Sequence, residues 1–331
     1  MARSILNKAR KEKADEFYTR LSDIERELIH YREYFKGKTI LCNCDDPRVS
    51  KFFYFFYASF HTLGLKRLIT TCYKNLNPDL FSQNLDEQAV YCIYDGTDRA
   101  NDKYTDYGTF MKQNEWGVLK GDGDFRSPEC IELLKQADIV CSNPPFSLLR
   151  EYVAQLIKYE KEFLIIGNQN AITYKDIFIF IKENKLWLGI NPSGMCFNVP
   201  EGYTKTAKIV DGVVMGWIGS ACWFTNLNHK KRNEYLTLYE NYNQKKFPKY
   251  DNFDAIEVCK VSEIPKDYGG IMGVPITFLD KYNPEQFEII GVTNHGDMLG
   301  IPFTNNCFAE VKGERKYVRI LIKTKRKQND N

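Results

Sequence analysis

Apolar positions in this chain follow two alternating rhythms. In "SDIERELIHYREYFKG" (22–37), Ile24, Leu28, Tyr31 and Phe35 recur at helical spacing and share one face. Ser22 with Glu25 predicts a capping box, and Gly37 a C-terminal stop. "KTILCN" (38–43) is a short, unbroken apolar run, as expected of a buried strand. Asp46-Pro47 then predicts a helix start, with Asp as N-cap and Pro at the first helical position. Phe52, Phe55, Phe56, Phe60 and Leu63 form the apolar face of that helix, which ends at Gly64, and "RLITTCY" (67–73) is the next strand.

The alternation resumes at Ser127-Pro128, which opens a helix. "DIVCSN" (138–143) reads as a strand, and "SLLREYVAQLIKYE" (147–160) as a helix with Leu149, Tyr152, Val153, Leu156 and Ile157 inward. "EFLIIGN" (162–168) is a strand, and "TYKDIFIFIKENK" (173–185) a helix capped by Thr173. "LWLGI" (186–190) and "CWFTNL" (222–227) close the series as strands. Residues 74–120 lose the rhythm apart from "QAVYCIYDG" (88–96), which predicts an excursion from the main sheet. Such alternation implies an α/β fold with a doubly wound, mostly parallel sheet and helices on both faces. Ligands of such sheets bind at the carboxyl ends of the strands. Three polar loops fall there: "CNCDDPR" (42–48), "GDGDF" (121–125) and "SNPPF" (142–146).

Composition narrows the class. With 331 residues, 43% hydrophobic and 27% charged, the chain suits one large domain or a domain with an appended module. Aromatics reach 14%, with 22 Phe and 21 Tyr, enough for a large aromatic core and for surfaces that stack on bases. The net charge of +3 excludes a general polyelectrolyte binder, but "NHKKRNE" (228–234) and the C-terminal "VKGERKYVRILIKTKRKQNDN" (311–331) are locally basic. The ten Cys sit mostly in apolar runs, and the lone C-x-C of Cys42 and Cys44 lacks a second pair, so no metal site is expected. No secretory signal or membrane-spanning run is visible, and a cytoplasmic setting is expected.

"NPPF" at the end of a buried strand resembles the D/N/S-P-P-Y/F catalytic loop of amino-group DNA methyltransferases. An aromatic amine delocalises its lone pair into the ring and is a poor nucleophile. The Asn143 side-chain oxygen and the Pro144 carbonyl can both accept hydrogen bonds from such an amine and favour a tetrahedral nitrogen. Pro144 and Pro145 stiffen the frame that aims these acceptors, and Phe146 offers a face for stacking. The plainer reading is a strand-to-helix turn, but the setting after a strand and before a helix favours the catalytic one. In the neighbouring loops, Asn43 and Asp45 are candidates for the methyl donor, with Asp45 or Asp46 meeting its ammonium or ribose. Asp124 is the candidate for the exocyclic amine of the donor's adenine, and Phe125 for an apolar wall. Asp46 is equally explained as an N-cap, and "GDGD" as an ordinary turn.

The likeness runs along nearly the whole chain. "KADEFYT", "CNCDDPR", "LGLKRLI", "GDGDFRS", "SNPPFSLLREY", "FLIIGNQNAITYK", "FPKYDNFDAIEV" and "GGIMGVPITFLDKYNPEQFEII" occur in order and together resemble the EcoRI-type adenine-specific DNA methyltransferase family. The resemblance implies a Rossmann-like methyltransferase fold, S-adenosylmethionine as donor and N6-methylation of adenine in double-stranded DNA. "DEFYT" matches the donor-contacting segment, so Phe17 and Thr19 are implied donor contacts. "GMCFNVP" (194–200) resembles the segment supplying a second stacking face for a flipped base, which implies Phe197 opposite Phe146, with core packing of Phe197 the equal alternative. "CNCDDP" lacks the usual G-x-G. The second strand ends in Cys72-Tyr73 without the customary acidic residue, and Asp45 is its proposed substitute for the ribose.

The expected division is a donor-binding and catalytic domain over 1–199 and a C-terminal target-recognition region over 200–331. The candidate phosphate contacts are Lys230, Lys231, Arg232, Arg319, Lys323 and Lys325. A monomer is expected, with a separately encoded restriction endonuclease as a partner if the enzyme is not of an orphan or phage type. The competing functions are methylation of RNA or of a protein amide, and a DNA-binding relative without activity.

Overall fold

The computed structural model describes residues 18–73, 88–97, 107–113, 116–191, 193–198, 207–210, 213–295 and 309–325. Phe17 and most of 74–106 lie outside these residues. The chain forms two compact units, Met1–Gln169 with Asn191–Leu227, and Asn170–Ile190 with Asn228–Asn331.

The first unit holds strands β1 (Tyr18–Thr19), β2 (Thr39–Cys42), β3 (Arg67–Thr71), β4 (Val90–Tyr94), β5 (Gly117–Val118), β6 (Ile139–Ser142) and β7 (Glu162–Asn168). It continues with β8 (Met195–Asn198), β9 (Ala207–Val210), β10 (Val213–Ile218) and β11 (Ala221–Thr225). Its longer helices are α1 (Leu21–Leu28), α2 (Lys51–Ala58), α3 (Tyr107–Gln113), α4 (Pro128–Gln136) and α5 (Leu149–Lys158), with single helical turns at Arg32–Phe35 and Phe60–Leu63. The central sheet of the unit has the order β5-β4-β3-β2-β6-β7-β11. β2 pairs in parallel with β3 and β6, and β6 with β7, while β4 and β11 run against their neighbours.

The centre of the sheet is apolar because its strands are covered on both faces. All four residues of β2 and of β6 are buried. The chain leaves β2 through α2 toward β3 and leaves β6 through α5 toward β7, in opposite directions across the sheet. Right-handed crossovers then put these helices on opposite faces and open a crevice where the carboxyl ends of β2 and β6 meet. The excursion expected over 74–120 rejoins the sheet, because Val90–Tyr94 pairs antiparallel with β3 and Gly117–Val118 with β4.

Two helix starts of the first unit differ from expectation. α1 has Arg20 at its N-cap position, so Ser22 lies inside the helix and the capping box does not form. α2 starts four residues later than Pro47 predicts. The Asp46 carboxylate is taken by Arg48, at 2.7 Å from Nε and 3.0 Å from the backbone N. Ser50 caps the helix instead, its Oγ accepting from the N–H groups of Phe52 and Phe53. Ser127 caps α4 as expected, with Pro128 in its first turn, and Gly64 closes the separate helical turn Phe60–Leu63 in the left-handed region at φ 63°.

The second unit contains α6 (Lys175–Lys182) and a four-stranded sheet of β12 (Ala255–Glu257), β13 (Ile271–Pro275), β14 (Phe287–Val292) and β15 (Arg319–Thr324). The order is β12-β13-β15-β14. Tyr174, not Thr173, holds the N-cap position of α6, and the Thr173 hydroxyl donates to the Asn170 carbonyl at 2.8 Å. β15 is paired on both sides, and Ile320, Leu321 and Ile322 are fully buried. The basic C-terminal segment is therefore a central core strand as far as Thr324. The compact units also do not divide at residue 199. Ala221–Thr225 registers against Asn168–Leu164 with all five of its residues buried, which draws 191–227 into the first unit.

Candidate active site

The loop after β2 is held by the strands on either side of it. Asp45 N–H donates to the Thr71 carbonyl at 3.1 Å, at the end of β3. The Thr70 hydroxyl lies 2.6 Å from the Asp45 carbonyl, and the Thr71 hydroxyl 3.2 Å from that of Asn43. On the other side, the Ser142 hydroxyl donates to Asp45 Oδ2 at 2.6 Å and accepts from Cys44 N–H at 3.2 Å. Asp45 Oδ1 accepts from Ser50 Oγ at 2.8 Å. Both carboxylate oxygens are thus engaged within the protein and Asp45 is buried, so it is not a ribose contact in this geometry. Burial pushes its pKa up to about 6, against the hydrogen bonds from Ser142, Ser50 and the Asn143 backbone, which lower it.

"GDGDF" reaches the same place through Gly123. That glycine has φ +78°, and a Cβ there would meet the Cys72 carbonyl at 2.1 Å, so only glycine lets the loop lie against the end of β3. Phe125 is buried and packs edge-on against Tyr152 at 5.0 Å, while Gln155 Nε2 donates to the Phe125 carbonyl at 2.9 Å. Tyr152 in turn donates its hydroxyl to Asn43 Oδ1. Tyr152 and Gln155 are three apart on α5, and one face of that helix therefore ties "GDGDF" to the β2 loop. Asp124 is clamped by Arg126, with Nε at 2.8 Å from Oδ1 and Nη2 at 2.6 Å from Oδ2. That pair lowers the Asp124 pKa and keeps its charge. Arg126 also bonds Glu151 on α5.

The Asn-Pro-Pro-Phe loop leaves β6 in this setting. Asn143 is half-buried and Pro144 buried, and Pro145 (φ −55°, ψ 126°) accepts the Leu148 N–H at 2.9 Å. Phe146 is half-buried at the start of a 3-10 turn over Phe146–Leu148. Phe197 is fully buried on β8, where it registers with Thr19 of β1, which rests against α2. The Thr19 hydroxyl is itself buried and has no hydrogen-bond partner among the described residues.

Ser142, Ser50, Thr70, Thr71, Tyr152 and Gln155 were not expected at the site. Ser142 directly precedes Asn143, and a three-residue spacing on a predicted helix is the readable signal for Tyr152 and Gln155, while Ser50, Thr70 and Thr71 carry none.

The basic residues divide into two groups. Lys230 and Lys323 are exposed. Lys231 Nζ bonds the Ile190 carbonyl at 2.8 Å, and Lys325 Nζ the Pro284 carbonyl at 2.7 Å. Arg232 stacks on Trp187 at 3.9 Å, donates to Asn184 at 2.8 Å, and has its pKa lowered by burial. Arg319 is paired with the buried Glu257, its Nε 2.9 Å and its Nη2 2.5 Å from Oε1, and Tyr250 bonds the other oxygen of Glu257. Arg319 is thus a core ion pair in place of the expected phosphate contact, and Arg232 is largely committed to Trp187 and Asn184.

An α/β sheet with polar loops gathered at its central crevice, one of them Asn-Pro-Pro-Phe, is the framework of a Rossmann-like methyltransferase. The family described as "Adenine-specific methyltransferase EcoRI" matches residues 5–325. The chain is 47% identical over 336 residues to the "Type II methyltransferase M.EcoRI" of Escherichia coli, covering 98% of this chain and 97% of that protein. It is 40% identical to "Type II methyltransferase M.MgeORF184P" of Mycoplasma genitalium, over 96% of this chain and 98% of that one. It is 38% identical to "Type II methyltransferase M.MpnI" of Mycoplasma pneumoniae, over 96% and 97%. No solved structure matches. The chain belongs to the EcoRI family of adenine-specific methyltransferases. Its activity is that of an adenine-specific DNA methyltransferase.

Proposed function

We propose that the protein methylates N6 of an adenine swung out of duplex DNA at a specific site, with S-adenosylmethionine as donor. The observation that carries this reading is the Asn143–Phe146 loop at the end of β6, beside the β2 and "GDGDF" loops in the crevice of the sheet. The carbonyl oxygens of Asn143 and Pro144 accept the two N–H bonds of the target amine and leave its lone pair directed away from the ring. Neither proline can donate, so no competing N–H faces the amine. Extruding the base costs a few kcal/mol, and stacking on Phe146 offsets part of it.

The residues fit a donor of this type. The buried Thr19 hydroxyl without a partner among the described residues, the polar side chains of Asn43 and Asp124 and the apolar ring of Phe125 are what an adenosyl and amino-acid group requires. When bound, the donor supplies an electrophilic methyl on a sulfonium. Thr19 and Asn43 orient it, Asp124 accepts from its adenine amine if Arg126 yields one bond, and Phe125 backs the ring. Phe197 is fully buried on β8 beside Thr19 of β1 and packs as a core side chain, so Phe146 carries the stacking on the target base.

Exposed Lys230 and Lys323 hold phosphates, and sequence is read from the second unit, with loops of 200–275 contributing. The enzyme acts as a monomer in the cytoplasm of a bacterial or phage-infected cell, beside a cognate endonuclease in a restriction-modification system. Among the described residues no helix is long and apolar enough to cross a membrane.

The test uses labelled donor and duplex DNA. The parent should form N6-methyladenine, and Asn143→Ala should lose transfer by at least a thousandfold while donor affinity stays within threefold. Near-normal transfer by Asn143→Ala would refute the role given to the loop.

A further inference from the structure

We propose that Asp45 is a positioning residue for the catalytic loop, its carboxylate clasping Ser142 and the Asn143 backbone so that Asn143 and Pro144 stand where the amine arrives. The proposal rests on the catalytic reading of Asn143 given above.

Three donors converge on this one side chain. Ser142 Oγ lies 2.6 Å from Oδ2 and Ser50 Oγ 2.8 Å from Oδ1, and the Asn143 backbone N–H donates as well. An ionised carboxylate is acceptor-only with about four lone-pair sites, which suits three donors. An amide would turn two N–H groups toward them. The clasp is anchored on all sides. Ser142 ends β6 and also accepts from Cys44 N–H, Ser50 caps α2, and the Asp45 backbone bonds Thr71 and Thr70 at the end of β3. Ser142 is fully buried and Ser50 nearly so. A shift of the β2 loop is therefore transmitted to the first residue of Asn-Pro-Pro-Phe by a buried hydrogen bond, without a contact to either substrate.

The surroundings do not favour the charge. Asp46, the thiols of Cys42, Cys44 and Cys141, and the Tyr152 phenol face it, and the Asp46 charge opposes it. A buried anion kept in acidic and neutral company is a feature of working sites more than of stable cores. Protonation near pH 6 converts one acceptor into a donor and loosens the clasp, because the Asn143 N–H cannot reverse its role as a hydroxyl can.

The experiment measures single-turnover methyl transfer to duplex DNA, S-adenosylmethionine affinity by calorimetry, and the pH profile of the rate, for the full chain and its Asp45→Asn, Ser142→Ala and Asn143→Ala variants. Asp45→Asn and Ser142→Ala should each slow transfer at least tenfold with donor affinity within threefold. The acid limb of the parent near pH 6 should be absent in Asp45→Asn. Should Asp45→Asn fail to fold, Ser142→Ala decides alone. The proposal is overturned if the rate holds in both variants, or if Asp45→Asn weakens the donor tenfold at unchanged rate. Normal transfer by Asn143→Ala would instead overturn the catalytic reading, whereas an inactive Asn143→Ala beside fully active Asp45→Asn and Ser142→Ala removes only the clasp.

Discussion

Asp45 costs the folded protein free energy at neutral pH. Its carboxyl releases a proton near pH 3.8 in the unfolded chain and near 6 in the folded one. Between these values the folded state binds more protons, so the contribution of this group to stability falls as pH rises through the window. Above pH 6 the loss is complete, on the order of 3 kcal/mol. Asp45→Asn should remove that slope: in urea melts, the unfolding free energy of the variant relative to the parent should grow from pH 4 to pH 6 and then level. A difference flat in pH would mean the carboxyl is not held above its ordinary range. Arg319 is the opposite case, a half-buried cation at 12% exposure whose buried partner Glu257 is at 3%. Arg319→Ala should cost about 3–5 kcal/mol by the same melts, since it strands a buried carboxylate. At this scale the candidate catalytic loop was legible in the sequence, because its order Asn-Pro-Pro-Phe is contiguous. It did not disclose the clasp, because Ser142 and Asp45 are 97 positions apart and Tyr152 and Asn43 are 109 apart.

Helix starts show how tertiary structure selects among equivalent local signals. Ser22, Asp46 and Ser50 all have capping chemistry, and only Ser50 uses it on a helix. Ser50→Ala should therefore cost about 1–2 kcal/mol of stability, and more than that if the Asp45 contact is counted, whereas Ser22→Ala should stay within about 0.5 kcal/mol. Equal losses in thermal or urea melts would contradict this assignment. The C-terminal segment shows the same selection. Its charges dominate the composition, yet "ILI" at 320–322 is the kind of unbroken apolar run that a strand buried on both faces carries. Ending the chain after Ile322 removes two residues of β15, one of them opposite Glu288 of β14. The expected outcome is a lower melting temperature, so weakened DNA binding in such a variant would combine damage to the second sheet with the loss of Lys323.

For the whole molecule, the alternation of strand and helix was sufficient for the fold class and the place of the crevice, because each crossover is local in sequence. The partition into units was not legible, since it depends on β11 returning to β7 from beyond residue 220. Binding to DNA tests the charge distribution at this scale. Lys230 is exposed, so Lys230→Ala should lower the slope of log affinity against log salt by about 0.9, the share of one phosphate contact on B-form DNA. An unchanged slope would remove Lys230 from the interface. The pairing of β7 with β11 has a further consequence during synthesis. When Asn168 leaves the ribosome, its antiparallel partner Ala221 is still about fifty residues away. At about 5–20 residues per second, the apolar edge of β7 waits roughly 3–10 s for its neighbour. Nascent chains of this enzyme thus expose that edge for seconds before its partner strand is made, the interval in which a chaperone would act on it.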